Sequence, residues 1–252
     1  MNHLLPRALR PVAIVTARYL RWSGGIVQAG PFRGMKYIAR AHCSALAPKI
    51  AGTYERELQP YLAQLLAGQP DTFIDVGAAE GYYAVGAAIA GWSPRIVAFE
   101  SDPAARQGLV ELMARNRVDP ARIELRGICT PDELNALLAE CARPAVLMDV
   151  EGFEALLLDP LRVPHLARCR ILVEHHDFVL RGLRDEICRR MGATHAITVI
   201  EQAPRRASEL ACADPLVRLF PAGIRRRVLG EQRPFAHHGW LWLVPHAVGT
   251  AH

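Results

Sequence analysis

The chain contains 252 residues, of which 51% are hydrophobic and 22% are charged, and its formal net charge is +5 at pH 7. This composition is typical of a globular protein and excludes disorder as the main state. No uncharged apolar run reaches the roughly 18 residues that a membrane-spanning helix needs. We therefore expect one large domain, or one domain with an appendage, and no transmembrane segment.

Basic residues dominate the N-terminal segment. Residues 1–54 contain eight Arg or Lys side chains and no Asp or Glu, so the net charge of the remainder is −3. Pro11 suits the first turn of a short helix, and Arg18 and Arg21 then lie on one of its faces. We predict a helical N-terminal extension and cover over residues 1–60, with a basic face that is solvated or meets an anionic partner. The main domain then covers residues 61–252.

The cysteines indicate a compartment. The six cysteines include no C-x-x-C pair and no zinc-ligand spacing. Several of them stand in apolar stretches, where a free thiol packs as a small hydrophobic group. This usage favours a reducing environment, so we expect a cytoplasmic location.

From residue 72 onward, apolar runs alternate with helical patterns. The predicted strands are 72–76, 95–99, 123–128, 145–149, 171–174, 196–200 and 239–244. The predicted helices are 82–90, 103–117, the segment after a capping box at 130–133, and 180–191. This alternation predicts an α/β fold with a doubly wound, mostly parallel seven-stranded sheet. Residues 204–238 break the alternation and are predicted to be an irregular insertion.

Acidic residues stand at the ends of four predicted strands. Asp75 is the penultimate residue of the first strand, Glu100 directly follows the second, and Asp149 and Glu174 end the fourth and fifth. Buried parallel strands are otherwise almost entirely apolar. Sheets of this kind bind ligands at the carboxyl ends of their strands. The four acidic residues therefore predict a functional site at that edge.

The turn after the first strand indicates a cofactor. Gly77 and Gly81 flank it, and glycine permits a close approach of the backbone to a ligand. Glu100 stands where a carboxylate can accept both hydroxyls of a ribose. Nicotinamide sites usually have G-x-G-x-x-G, whereas the spacing here is G-x-x-x-G, and Asp75 suits a positively charged cofactor such as S-adenosylmethionine. An NAD(P)-dependent oxidoreductase and a non-catalytic binding protein on the same fold remain alternatives.

These motifs together resemble those of the class I S-adenosylmethionine-dependent methyltransferases, and among them the FkbM-like group. D-V-G-A-A-E-G-Y at 75–82 resembles the cofactor loop of this family, and M-D-V-E-G-F-E at 148–154 resembles its signature after the fourth strand. L-V-E at 172–174 resembles the end of its fifth strand, and G-T-Y-E-R-E-L at 52–58 resembles a motif in a subset. The resemblance covers roughly residues 30–245, and Ala79 departs from it because a glycine is common there.

The resemblance implies a set of cofactor-binding residues. The turn after the first strand would line the methionine part, the end of the second strand would hold the ribose and adjoin the adenine, and the N-terminal segment would cover the cofactor. These residues are Asp75, Gly77, Ala79, Gly81 and Tyr82 in the turn, Glu100 and Ser101 after the second strand, and Tyr54 and Glu55 in the cover.

Methyl transfer to a hydroxyl requires a group that removes the proton of the acceptor. Asp149, Glu174 and His175 are the predicted catalytic residues, since the ends of two adjacent strands can converge over the methyl group. Consecutive residues of an extended chain face opposite ways, so we expect one of His175 and His176 to point inward and the other to be solvated. Glu151 either joins the site or caps the helix that follows it.

Partners are less well specified by the sequence. We predict O-methylation of a small-molecule or sugar hydroxyl, without a metal. A divalent ion on Asp149, Glu174 and His175 remains an alternative. The arginines at 205–206 and 225–227 favour a solvated loop or a small anionic substrate over RNA, because no aromatic stacking platform or RNA-binding module is evident. The oligomeric state stays open.

Overall fold

A computed structural model of the chain describes residues 10–210, 214–231 and 239–246. Within them, seven strands form one sheet in the order β3-β2-β1-β4-β5-β7-β6. The strands are β1 Thr72–Val76, β2 Arg95–Phe99, β3 Ile123–Arg126, β4 Pro144–Met148, β5 Arg170–His175, β6 His195–Ile200 and β7 Gly239–Pro245. Strands β1 to β5 pair in parallel, whereas β7 lies antiparallel between β5 and β6. The predicted mostly parallel seven-stranded α/β sheet is confirmed.

Helices connect the strands and cover both faces of the sheet. They are α1 Pro11–Ser23, α2 Leu46–Ala51, α3 Gln59–Ala67, α4 Tyr82–Ala90, α5 Pro103–Arg115, α6 Pro131–Glu140, α7 Glu154–Leu157, α8 Leu183–Met191, α9 Pro215–Leu219 and α10 Ala222–Val228. The predicted capping box starts α6, where the Glu133 N–H donates to the Thr130 hydroxyl and the Glu133 carboxylate accepts the Thr130 N–H. The prediction of an irregular insertion is wrong in part, because α9 and α10 form within it.

Two apolar clusters pack on opposite faces of the sheet. One contains Phe73 together with residues of α1, α4, α5 and the segment 27–38, and the other contains Ile74 and Val76 with residues of α6, α7 and α8. Side chains alternate across a strand. Asp75 therefore lies on the same face as Phe73, towards α4 and the N-terminal segment.

The N-terminal segment is packed onto this face. Val15 and Tyr19 of α1 are fully buried, and Arg18 forms an ion pair of 2.9 Å with Asp214 at the start of α9. The division of the chain at residue 60 stays a prediction. Among the described residues, no helix has both the length and the apolar character required to cross a membrane.

Candidate functional site

A cleft of about 760 Å³ opens at the carboxyl ends of β1, β2, β4 and β5. Its volume is within the range of small-molecule sites. Eight of the predicted site residues line it: Tyr54, Gly77, Ala79, Tyr82, Glu100, Ser101, Asp149 and Glu174. The other four, which are Glu55, Asp75, Gly81 and His175, lie outside its lining. The predicted edge of the sheet therefore does carry a cleft.

The turn between β1 and α4 approaches the end of β4 closely. Gly77 has φ +87°, and a Cβ there would lie 1.8 Å from the backbone oxygen of Asp149, so a side chain cannot be accommodated without moving the backbone. Gly81 has φ +91° at the start of α4. Ala79, where a glycine is common, has φ +47°. Sequence reasoning thus placed the two required glycines correctly.

Glu100 holds the turn against the end of β2. One carboxylate oxygen accepts the Ala79 N–H at 2.7 Å and the other accepts the Asp102 N–H at 2.7 Å. The side chain lines the cleft and is almost buried. Each carboxylate oxygen has two lone pairs. Glu100 is therefore fixed in orientation and retains acceptor capacity for ligand hydroxyls.

Asp75 lies behind the turn rather than in the lining. It is 1% exposed, and neither carboxylate oxygen makes a hydrogen bond of ordinary length and angle with a described residue. Burial raises the pKa of Asp75 to about 8; the Ala84 amide N–H opposes this shift, and the charge of Asp149 adds to it. Asp75 is therefore an incompletely satisfied acid next to the cleft.

Three carboxyl groups converge at the end of β4 and β5. Oxygen atoms of Glu55, Asp149 and Glu174 lie within 4.8 Å of one another. Burial raises the pKa of Asp149 well above its usual value, and the neighbouring Glu174 adds to the effect. Like charges at this separation cannot both ionise cheaply. We therefore treat Asp149 and Glu174 as a coupled pair that shares a proton.

His176 stands behind this pair, and sequence reasoning chose its neighbour instead. Its ring is 1% exposed, with Nδ1 2.8 Å from Glu154, and its Nε2 lies 3.4 Å from Asp149, 3.5 Å from Glu151 and 3.7 Å from Glu174. Burial opposes protonation, but the hydrogen bond with Glu154 and the nearby carboxylates outweigh it and raise the pKa of His176. His176 is the histidine adjacent to the acidic pair.

His175 faces the other way. Its Nδ1 is 3.7 Å from Asp177, and its ring packs against Gly239 of β7. Both His175 and His176 are buried. The expectation that one of them is solvated is wrong, because apolar clusters cover both faces of the sheet at β5.

The turn after β4 is organised by a residue that motif reading quoted but gave no role. Glu154 is 0% exposed and accepts the N–H groups of Val150 at 3.0 Å and Gly152 at 2.7 Å. Within this turn Glu151 has φ +53°, a strained conformation for a residue with a side chain. Glu151 lines the cleft and does not cap α7, which starts three residues later.

The N-terminal segment forms the opposite wall of the cleft. Tyr54 was predicted there, and the lining also includes His42, Cys43, Ser44, Ala45 and Lys49, which carry no motif that the sequence reading used. Glu55 was also predicted to cover the cofactor from this side. In the structure it is buried beside Asp149 and Glu174 and accepts a hydrogen bond from the Tyr83 hydroxyl.

The insertion also contributes to the site. Glu231 lines the cleft and accepts the Glu55 N–H at 3.0 Å. Arg205, predicted to be solvated or to bind a substrate, is instead nearly buried and paired with Glu57 at 2.7 Å and with Glu231. Its charge is used inside the protein, because it neutralises two carboxylates that hold the insertion against residues 55–57.

Two overlapping groups of side chains have the donor types for a metal ion. They are Asp149 with Glu154 and His176, and Asp149 with Glu55 and Glu174. His175, which the metal alternative required, belongs to neither group. The prediction of a site without metal remains a prediction.

Comparisons with known proteins support the fold. No family model matches the chain, and no curated protein matches it either. Among solved structures, a candidate O-methyltransferase from Klebsiella pneumoniae is 16% identical with a TM-score of 0.50, over 96% of this chain and 93% of that one. The O-methyltransferase TomG from Streptomyces achromogenes is 14% identical with a TM-score of 0.48, over 79% and 90%. The methyltransferase FkbM from Methylobacillus flagellatus is 14% identical with a TM-score of 0.45, over 69% and 44%. The first of these similarities shows a methyltransferase-like fold, and at such identities only the fold is shown.

Proposed function

We propose that this protein is an S-adenosylmethionine-dependent methyltransferase of the FkbM-like group that O-methylates a hydroxyl of a small molecule or sugar. One observation carries the proposal. The glycine turn with Glu100 and the coupled carboxyl pair Asp149 and Glu174 face a single cleft of about 760 Å³. A nucleoside can thus be held on one side while an acceptor hydroxyl meets a carboxylate on the other.

The residues present fit this cofactor. Gly77 leaves no room for a side chain at the closest point of the turn. Glu100 is oriented by two backbone N–H groups, so it can receive ribose hydroxyls without reorganisation. Asp75 is buried directly behind this turn with unused acceptor capacity, so it stays a proposed polar partner for the amino group of the methionine part. The bound cofactor would supply the methyl group as a sulfonium.

The carboxyl pair supplies the proton acceptor. In the ionised form, one carboxylate oxygen of Asp149 or Glu174 would take the proton of an acceptor hydroxyl as the hydroxyl oxygen bonds to the methyl carbon. The bond between that carbon and sulfur would break, with S-adenosylhomocysteine as the leaving group. His176 lies 3.4 Å from Asp149 and 3.7 Å from Glu174, and Glu154 fixes its ring. A positive charge on His176 stabilises the ionised carboxylates. This arrangement makes Asp149 and Glu174 the proposed catalytic residues, with His176 behind them in place of His175.

The rim of the cleft suits an organic acceptor. Ile128, Phe153 and Phe178 line it and are 57%, 42% and 50% exposed. Aromatic and aliphatic side chains at the mouth can cover the carbon skeleton of a small molecule or the apolar face of a sugar ring. The Klebsiella pneumoniae structure is described as a candidate O-methyltransferase, which supports an oxygen as the methyl acceptor. A cytoplasmic location remains part of the proposal.

Isothermal titration with S-adenosylmethionine and S-adenosylhomocysteine tests the cofactor. We expect saturable binding at protein concentrations of tens of micromolar, and NADH should give no heat. Transfer of a labelled methyl group to a panel of sugars and hydroxylated aromatics then tests the reaction. Asp149→Asn should retain nucleoside binding and lose transfer, while exposed Asp132→Asn on α6 serves as the matched control. If the protein binds neither of these two nucleosides, the proposal is refuted.

A further inference from the structure

Lys49 is a buried lysine in the wall of the cleft. It is one of two lysines among the 30 Lys and Arg residues of the chain. It is 3% exposed, stands on α2 and lines the cleft. Its Nζ lies 2.5 Å from Glu80 and 4.9 Å and 5.4 Å from the ring centroids of Tyr54 and Tyr82. A lysine is almost never fully buried without a partner or a function.

The surroundings keep Lys49 charged. Glu80 also accepts the Tyr37 hydroxyl at 2.5 Å and the His42 N–H at 3.0 Å. Burial opposes ionisation of Glu80, but Lys49 and these hydrogen bonds outweigh it and lower its pKa. The Tyr54 and Tyr82 rings add cation–π attraction. The ammonium group has three N–H donors and makes one hydrogen bond with the described residues, to Glu80.

The charges that line the cleft are unequal. Its acidic lining residues are Glu100, Asp102, Asp149, Glu151, Glu174 and Glu231. Two basic side chains belong to the described lining, and each is paired with a carboxylate: Lys49 with Glu80 at 2.5 Å and His42 with Asp102 at 3.1 Å. An anionic group of a ligand is therefore repelled least beside Lys49, whose ammonium group keeps N–H donors beyond the one that it gives to Glu80. The N-terminus of α4, which begins at Tyr82, adds a favourable dipole at the same place.

We infer that Lys49 binds the α-carboxylate of the amino-acid part of the cofactor, an inference that rests on the proposed function. This carboxylate is the anionic group of S-adenosylmethionine at neutral pH. The amino-acid part is also the end that the turn at Gly77 and Ala79 is expected to line, and Glu80 continues that turn directly. Lys49 is thus a binding residue and not a catalytic one.

The test compares two nucleosides on the full chain by isothermal titration. S-adenosylhomocysteine carries the carboxylate, and 5′-methylthioadenosine lacks the whole amino-acid part. We expect Lys49→Met to weaken binding of S-adenosylhomocysteine by roughly 10- to 100-fold, which is the effect of losing one charge-assisted hydrogen bond. Binding of 5′-methylthioadenosine should change by less than about twofold. The matched control is Lys36→Met, because the other lysine is exposed and outside the cleft.

Several results overturn the inference. If Lys49→Met leaves S-adenosylhomocysteine binding unchanged, or weakens both nucleosides equally, Lys49 has a structural role only. If this variant does not fold, the parent protein is titrated with the decarboxylated analogue of S-adenosylhomocysteine, which must bind at least about 10-fold more weakly than the parent compound; equal affinity refutes the inference. If the parent binds neither nucleoside, the proposed function itself is refuted and the inference with it.

Discussion

Asp75→Asn should change how the stability of the protein depends on pH. In the folded protein, burial raises the pKa of Asp75 to about 8, whereas an unfolded Asp titrates near 3.9. Between these values the folded state holds a proton that the unfolded state has released, so the parent loses stability as the pH rises. The loss is up to about 1.4 kcal/mol per pH unit, or about 3 kcal/mol between pH 5 and pH 7. Asn cannot titrate and is free of this loss.

Urea unfolding of the parent and of the Asp75→Asn variant at pH 5, 6 and 7 measures this effect. The free energy of unfolding of the variant minus that of the parent should increase by about 2 to 3 kcal/mol over this range. Taking the difference removes the contribution of other titrating groups. Exposed Asp132→Asn is the control and should give no such trend. If the curves of the Asp75 variant and the parent run parallel, the carboxyl group is not held protonated by its surroundings.

Three further changes test the geometry of the cleft. Gly77→Ala should abolish S-adenosylhomocysteine binding and lower the free energy of unfolding by more than about 2 kcal/mol, because the new Cβ would lie 1.8 Å from a backbone oxygen. The control is Gly91→Ala: Gly91 has φ +67°, but no atom lies within 4 Å of the new Cβ. Its free energy of unfolding in urea should fall by less, and that smaller decrease measures the backbone strain alone. Glu100→Gln should weaken S-adenosylhomocysteine and 5′-methylthioadenosine alike, by about 10-fold or more in titration calorimetry, because its amide would oppose a backbone N–H in either orientation; equal affinity would exclude it from the ribose site. Glu154→Gln should cost about 1 to 3 kcal/mol in urea unfolding, since two backbone N–H groups point at its two oxygens; an unchanged midpoint would contradict its role in the turn.

The parts of the fold that could be predicted are those that depend on local pattern. The predicted bounds of strands β1 and β2 agree with the structure at both ends, because each strand is a short, mainly apolar run between turn-forming or polar residues. The Gly77 and Gly81 positions follow from the requirement for positive φ in a tight strand-to-helix turn. Glu100 was identified because the end of the next parallel strand meets the same edge of the sheet. All of these depend on contacts whose geometry is set within one βαβ unit.

The rest depends on contacts between distant segments. The sequence pattern of β7 does not reveal that it inserts between β5 and β6, since pairing direction is decided by long-range packing. Lys49 carries no motif, and its partner Glu80 is 31 residues away. The alternation of a strand correctly separates His175 from His176, but it cannot tell which face meets the acidic pair. That choice is made by Glu154, whose carboxylate lies 2.8 Å from Nδ1 of His176 and belongs to the turn beyond β4.

The unfavourable features of this protein are concentrated around one cleft. Asp75 is buried with unused acceptor capacity, Asp149 and Glu174 are two carboxyl groups in mutual contact, and Glu151 has a left-handed backbone conformation. Each feature lowers the stability of the fold, and such costs persist in folded proteins chiefly at functional sites. A ligand with a positive charge stabilises the ionised form of these acids. Part of the binding energy of such a ligand therefore offsets a cost that is already present in the fold.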